Sequence, residues 1–479
     1  MSASVSRAFQ LGPIQRIHFV GIGGSGMSGI AEVLARRGYG VSGSDASASG
    51  TTDRLRTLGV RVMHGHDAAH VRDADVVVIS TAVGPTNVER VAAEALHIPI
   101  VHRADMLAAL MRPCLSVAVA GAHGKTTTTA MLTFALQEAG LDPTAVIGGT
   151  VPAFGGNARV GDGDVLVVEA DESDASFLRL LPSIAIITNI DDDHLDQYGT
   201  LAGVVDAFAA FAARVPFYGV VIGCADDPRV AEVLTNHAGR RVTYGTTAAS
   251  HLHLTSVSVG PLASTATVCQ RDAQGTVREL GQLALCVPGD HNLLNALAAI
   301  AVGLELGVPF RTLADALGRF RAADRRFDVR GEARGVLVVD DYAHHPTEVA
   351  AVLRAAAPLQ RRLVVAFQPH RYTRTAALGP AFGEAFTGAA AVFLTDIYAA
   401  GEAPLPGVTL ETFAAQVSDA VGAHRVHVAP TLDALVAALA DFVRPGDVVL
   451  SVGAGSIASV ADALLERLTA SNETLEVTS

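Results

Sequence analysis

Short apolar runs ending in Gly, Asp or Ser set the rhythm of this chain: IHFVG (17–21), VVVIS (76–80), VAVAG (117–121), VLVVEA (165–170), IAIITN (184–189), VLVVDD (336–341), LVVAF (363–367) and VVLSVG (448–453). Helix-like segments rich in Ala and Leu lie between many of them. Continuous apolar strands alternating with helices predict parallel sheets covered on both faces, an α/β fold. One interval breaks the rhythm. From about residue 242 to 287 the segments HLHLTSVSV, STATVCQ and LALCV alternate like half-exposed strands, which predicts an antiparallel meander inserted in the middle domain.

Two interruptions divide the chain. The helical pattern ADMLAALM (104–111) stops at Pro113, and TLADALGRF (312–320) stops before the charged stretch RAADRRFDVRGEARG. New strands begin at Leu115 and Val336. Boundaries near 112 and 325 give three expected domains, 1–112, 113–325 and 326–479, in keeping with 479 residues at roughly 100–200 per domain. The last ten residues, ASNETLEVTS, are expected to fray.

Half of the residues are apolar, enough for a core in each domain. The net charge is −13, with no basic stripe, which argues against nucleic-acid binding. Such a protein must build positive potential locally if its substrate is an anion. Cys114, Cys224, Cys269 and Cys286 lie far apart, so neither a zinc site nor a disulfide framework is favoured. No segment reads as a signal peptide or a membrane span, and a cytoplasmic setting without a membrane partner is expected.

Charge becomes informative at VAGAHGKTTTT (119–129). Lys125 is the sole lysine among 35 basic residues. A predicted strand leads into Gly121, Ala122, His123, Gly124, Lys125, Thr126 and Thr127, and a predicted helix follows. A glycine turn at a helix N-terminus points several N–H groups at one spot, where the helix dipole favours phosphate. Lysine can reach the outer phosphates there, and the Thr126 hydroxyl can ligate Mg²⁺. The spacing is GxxGKT, shorter than the usual nucleotide loop, with Val119 where an earlier glycine would stand. A slim ammonium suits this role better than a planar guanidinium.

Glu169 ends one strand, and the run Asp191–His194 follows another. Carboxyl ends of parallel strands are where such sheets place ligands. Thr126, Glu169 and His194 are therefore expected to hold Mg²⁺ around a triphosphate. Gly21, Gly23 and Gly26 form a second phosphate motif in IHFVGIGGSGMSG, with Asp45 at the end of the next strand. Taken alone it says NAD and an oxidoreductase. A UDP-sugar meets the same chemistry, and the pairing with a hydrolysable-nucleotide loop favours a ligase.

The motifs HFVGIGGSGMSGIAEVL (18–34), GAHGKTTTT (121–129), VEADESDASF (168–177), TNIDDDHLD (188–196), HNLLNALAA (291–299), RRFD (325–328), DDYAHHPTEV (340–349), FQPHRYTRT (367–375) and DIYAAGE (396–402) together resemble the Mur ligase family, most closely its alanine-adding branch. They are in family order and cover nearly the whole chain. The resemblance implies a Rossmann-like UDP-binding domain, a central P-loop-type ATPase domain and a C-terminal Rossmann-like domain. It implies that ATP, with Mg²⁺, phosphorylates the lactyl carboxylate of UDP-N-acetylmuramate. The amine of L-alanine then attacks the acyl phosphate. A ligase adding a preformed peptide is the alternative within the family. A monomer or homodimer is expected.

By the same resemblance, residues 121–127 form the ATP loop, and Lys125, Glu169 and His194 are catalytic. Asn292 and Asn295 approach adenine, and Arg325, Tyr342 and His344 approach the nucleotide. Arg371 and Arg374 hold the alanine carboxylate, with His370 assisting. Gly23, Gly24, Ser25 and Gly26 hold the diphosphate, with Asp45, His66 and Arg103 as further UDP-sugar contacts. The sequence departs from the family pattern at Ala122 (usually Thr), Asp290 (usually Arg) and Ala322 (usually Gly). Relatives that bridge metals with a carbamylated lysine need a second lysine, which is absent here, as expected of the alanine-adding branch.

Overall fold

The structure, a computed structural model, describes residues 11–321 and 323–476. Ala322, where a hinge departure was expected, lies outside them. Three sheet-containing domains follow one another along the chain. The first sheet consists of β1 (Arg16–Val20), β2 (Gly40–Asp45), β3 (Arg61–His64), β4 (Val76–Ile79) and β5 (Ile100–His102), in the order β3-β2-β1-β4-β5. All its pairs are parallel. Strand order reverses beside β1, so the glycine loop after Val20 opens at the switch point of the sheet.

The second sheet has ten strands: β6 (Leu115–Ala120), β7 (Thr144–Val151), β8 (Gly156–Arg159), β9 (Val165–Glu169), β10 (Ile184–Ile187), β11 (Val220–Cys224), β12 (Arg241–Gly245), β13 (Leu252–Val259), β14 (Ser264–Arg271) and β15 (Val277–Leu285). Their order is β15-β14-β13-β12-β11-β10-β6-β9-β7-β8. β6 runs parallel to both neighbours, with Val119 opposite Glu169 and Ala120 opposite Ile187. Strand pairing alone therefore delivers the Lys125 loop, Glu169 and the 188–194 segment to one edge.

The expected meander needs correcting at its start. β12 pairs parallel with β11 and with β13, so it belongs to the main sheet. The strands joined by short loops are β13, β14 and β15, and they extend the same sheet at its edge. The residue pattern does not separate β12 from the strands that follow it, because both runs mix exposed and buried positions.

The third sheet consists of β16 (Asp328–Ala333), β17 (Val336–Asp341), β18 (Arg362–Phe367), β19 (Ala391–Leu394), β20 (Val426–Val428) and β21 (Asp447–Val452), ordered β16-β17-β21-β18-β19-β20. Only β16 pairs antiparallel. Val339 and Val365 face one buried cluster and Val338 and Val364 the other, which is why these strands are apolar at every position. The closing helix Ala458–Glu476 carries helical structure through most of the tail expected to fray.

Contacts gather the chain into two compact units. One takes in the chain up to Ser256 with Ala266–Ala284 and Leu293–Ala323; the other holds Val257–Thr265, Leu285–Asn292 and the chain from Asp324 onward. Within the first unit, helix Ser25–Arg36 lies against the second sheet. Asn157 Nδ2 donates to Ser25 O at 2.7 Å and to Ser28 Oγ at 2.9 Å, and a side chain at Gly29 would press on Val146. Ile30, Leu34, Val146, Ala158 and Leu166 share one buried cluster. Among the described residues no helix is long and apolar enough to cross a membrane.

Candidate active site

The loop after β6 is braced from beneath. Gly121 has φ +139° and a side chain there would collide with the Thr188 hydroxyl. Gly124 has φ +81°, and a Cβ would stand 2.5 Å from Asn295 Oδ1. Both positions thus need glycine for backbone conformation and for space. Asn189 clasps His123 from both sides: its Oδ1 accepts the His123 N–H at 2.8 Å and its Nδ2 donates to the His123 carbonyl at 3.0 Å. Thr188 Oγ1 donates to that carbonyl at 2.6 Å, and the His123 ring meets Asp191 Oδ2 at 2.9 Å. Helix Lys125–Glu138 then starts at Gly124, with Thr126 and Thr127 in its first turn.

Lys125 is folded into its own loop. Nζ donates to Gly121 O at 2.6 Å, Ala122 O at 3.1 Å and Glu172 Oε1 at 2.6 Å. Burial works against this charge, but Glu172, with Glu169 and Asp171 behind it, outweighs burial and holds the lysine pKa above its ordinary value. Burial pushes the Glu172 carboxyl up to about 7, against the opposing pull of Lys125. The motif VEADESDASF contains Glu172, but the sequence alone assigns that residue no role. Its only signal was a second glutamate three positions after Glu169.

Thr126 Oγ1 donates to Glu169 Oε1 at 3.0 Å, and Gly148 N donates to Glu169 Oε2 at 2.7 Å. Two oxygens bound to one Mg²⁺ at right angles would be about 3 Å apart, so hydroxyl and carboxylate already have the spacing of neighbouring ligands. His194 has φ +60°; its Nε2 lies 3.8 Å from Glu172 Oε1 and 3.5 Å from Asp193 Oδ2. The hard-oxygen pair thus fits a magnesium ion, and the imidazole stands beside the lysine's carboxylate partner. Glu169→Gln is expected to raise the Mg²⁺ concentration for half-maximal activity about tenfold or more, as read by titrating ADP release.

In the first domain, Gly23 N donates to Asp45 Oδ2 at 2.8 Å, and a Cβ on Gly23 would lie 2.8 Å from that oxygen. Gly24 precedes helix Ser25–Arg36 in extended conformation, and Ser25 and Gly26 open the helix. The Arg103 guanidinium lies beside Gly26, where a Cβ would stand 3.0 Å from Nη1, while Nη2 donates to Asp171 at 2.8 Å and Asp174 at 3.1 Å. Arg103 therefore joins the glycine loop after β1 to the central domain's carboxylates. His66 Nδ1 meets Ser44 Oγ at 3.0 Å and Glu89 Oε2 at 3.2 Å.

Glu89 is wholly buried. Burial raises its pKa, but His18 at 3.8 Å and the hydrogen bonds from Ser44 and His70 outweigh that and hold it at about 2. Because its folded pKa lies below the ordinary 4.5, the unfolded chain takes up the proton first as pH falls. Stability from this group is complete above about pH 4.5 and lost towards pH 2, about 3 kcal/mol in all. Acid unfolding followed by circular dichroism should show that slope in the native protein and not in Glu89→Gln.

The remaining expected residues are placed at the carboxyl edge of the third sheet or in helix Asp290–Glu305. Arg325, at φ +56°, grips Asp340 through Nε at 2.7 Å and Nη2 at 3.3 Å, and donates to Gly453 O at 2.6 Å. Its guanidinium and that of Arg326 both lie 5.3 Å from the Tyr342 ring centroid. Tyr342, His344, His370 and Tyr398 form a chain of ring contacts at 5.2, 5.5 and 5.6 Å. Arg371 precedes helix Tyr372–Ala385 with φ +68°, an uncommon conformation for a non-glycine residue, and Arg374 lies in that helix's first turn. Asn292 Nδ2 donates to Pro288 O at 2.7 Å at its helix start. Asn295, one turn on, is buried and receives the Thr128 hydroxyl at 3.2 Å. In this structure Asn295 supports the phosphate loop from below.

A glycine-braced phosphate loop with a half-buried lysine, flanked by a hydroxyl–carboxylate pair and coupled to a second phosphate-type loop, defines a nucleotide-driven enzyme. Residues 16–113 match the family described as Mur ligase family, catalytic domain; 119–303 match Mur ligase middle domain; and 325–455 match Mur ligase, glutamate ligase domain. The chain belongs to the Mur ligase family. It is 48% identical over 464 residues, covering 96% of this chain and 99% of its relative, to a UDP-N-acetylmuramate–L-alanine ligase of Geobacter sp. (strain M21). It is 50% identical to the protein of that name from Anaeromyxobacter dehalogenans, covering 95% and 98%. The crystal structure of UDP-N-acetylmuramate-alanine ligase from Thermotoga maritima superposes with a TM-score of 0.78 at 31% identity, covering 95% of this chain and 99% of that one.

Proposed function

We propose that this protein uses ATP to join L-alanine to the lactyl carboxylate of UDP-N-acetylmuramate, in the cytoplasm, with Mg²⁺ held by Thr126, Glu169 and His194. The observation that carries the reading is the near-complete, roughly half-identical match to relatives bearing that activity in their names, combined with the loop around Lys125. We place the domain boundaries near 112 and 325. Subunit number is left as monomer or homodimer.

A carboxylate does not react usefully with an amine until it is activated. A lactyl carboxylate oxygen attacks the γ-phosphorus of ATP, the bond to the β-phosphate oxygen breaks, and ADP leaves. Two anions meet in that step, and the Lys125 ammonium with the N–H groups of residues 124–127 supplies opposing charge. Bound Mg²⁺ supplies further charge neutralisation. The amine nitrogen of L-alanine then attacks the acyl carbon, inorganic phosphate departs, and an amide forms with loss of a proton from nitrogen. Arg371 and Arg374 are suited to an amino-acid carboxylate by their place at a helix N-terminus.

The test is product mass spectrometry with UDP-N-acetylmuramate, ATP and equal amounts of L-alanine, other amino acids including D-glutamate, and an alanine-headed tripeptide. The L-alanine adduct is expected to dominate. A D-glutamate adduct would refute the specificity, and a tripeptide adduct would establish the peptide-ligase alternative. The oxidoreductase reading predicts a nicotinamide absorbance change, which is not expected with any substrate.

A further inference from the structure

Glu89 is a fully buried acid ringed by imidazoles, and the proposed reaction makes no use of it. It lies in the first turn of helix Val88–Ala95. Its Oε2 accepts the Ser44 hydroxyl at 2.5 Å and faces His66 Nδ1 at 3.2 Å. Its Oε1 faces His70 Nδ1 at 2.6 Å and the Asp67 N–H at 3.4 Å, with His18 Nε2 at 3.8 Å.

Hydrogen-bond accounting then fixes one proton. An ionised carboxylate only accepts. Ser44 has one hydroxyl hydrogen, and it goes to Glu89. At 3.0 Å from His66 Nδ1, the Ser44 oxygen can therefore only accept. Both partners of Nδ1 are acceptors, so Nδ1 carries the hydrogen and the neutral ring has its lone pair on Nε2. The His66 side chain is 30% exposed, and its only hydrogen-bond partners among the described residues are these two. The ring also stands in the right place. Ser44 O accepts the N–H groups of Gly21 and Ile22 at 2.8 and 3.0 Å, and the next residue, Asp45, holds Gly23.

We propose that Glu89 is a positioning residue for the nucleotide-sugar: it locks the His66 proton on Nδ1, so that Nε2 presents an acceptor to a donor on that substrate. The donor is the imide N–H of uracil or a ribose hydroxyl. This rests on the reading that the first domain binds a UDP-sugar. Glu89→Gln keeps the shape but introduces an amide that donates, which releases His66 to take the other tautomer.

The experiment measures binding of UDP-N-acetylmuramate and of ADP by calorimetry, steady-state kinetics, and nitrogen-15 NMR of the imidazoles. In Glu89→Gln the Kd and KM for the nucleotide-sugar should rise about tenfold, with kcat and ADP affinity within about twofold. In the native protein His66 should appear as the Nδ1–H tautomer, free and bound. That measurement decides the matter even if the variant does not fold, because an Nε2–H tautomer overturns the proposal. Analogues methylated at uracil N3 or carrying deoxyribose identify the donor: the Gln substitution should cost nothing further with whichever lacks it, and an equal cost with all overturns the idea. Native protein that fails to bind UDP-N-acetylmuramate would defeat the underlying reading. Native protein that binds, with Glu89→Gln binding equally well, would defeat this inference alone.

Discussion

Lys125→Met lowers turnover by roughly 10³-fold or more while leaving UDP-N-acetylmuramate affinity within about twofold, as measured by ADP release and calorimetry. The side chain fills nearly the same space, so the loss is that of the ammonium. It also strands Glu172, whose side chain is only 4% exposed and which bonds Lys125 at 2.6 Å. Removing one partner of a buried ion pair costs roughly 3–5 kcal/mol when the other stays charged. Burial already pushes the Glu172 pKa to about 7, so the stranded carboxyl can take up a proton and limit the loss below that pH. In the variant the opposing pull of Lys125 is gone and the Glu172 pKa rises further, so stability should fall as pH climbs from the ordinary 4.5 through neutrality, because the folded state binds the proton more tightly than the unfolded chain. Adding Glu172→Gln should restore thermal stability without restoring turnover. Recovery of turnover in the double variant would mean that Lys125 serves only to neutralise Glu172.

Gly124→Ala is the second large effect. The residue sits at φ +81°, where a side chain costs about 1–3 kcal/mol. The added methyl would also lie 2.5 Å from Asn295 Oδ1, the oxygen that receives the Thr128 hydroxyl. Relief requires Asn295 to move or the loop to lift, and either displaces the N–H groups proposed to receive phosphate. ATP affinity should fall at least about tenfold, read by calorimetry. Nucleotide-sugar affinity, which we assign to the glycine loop of the first domain, should hold. Unchanged ATP binding would show that the loop does not contact the nucleotide.

Much of this architecture was legible because parallel strands are apolar on both faces and end at polar residues. VAVAG, VLVVEA and IAIITN read directly as β6, β9 and β10, and their adjacency put Lys125, Glu169 and His194 on one sheet edge. The weaker strands were hidden for physical reasons. β3 and β20 are short edge strands with half-exposed residues, so neither apolar continuity nor clean alternation marks them. β12 resembled the meander because its exposed and half-buried start breaks the continuous apolar pattern of the central strands. At the site, side-chain pairing escaped the sequence: nothing in VEADESD says that Glu172, and not Glu169, takes the lysine. Nor does HNLLNAL say that Asn295 lies beneath Gly124, since that contact joins residues far apart in the chain. The Glu89 cluster was invisible for the same reason, its histidines coming from β1 and the segment after β3.

The account depends most on activation of the lactyl carboxylate by the γ-phosphate. The direct measurement uses UDP-N-acetylmuramate carrying oxygen-18 in that carboxylate, with ATP and L-alanine, followed by mass spectrometry of the inorganic phosphate. One carboxylate oxygen departs with the phosphate when the amide forms, so each phosphate should carry one labelled oxygen. Unlabelled phosphate released alongside amide would contradict the account.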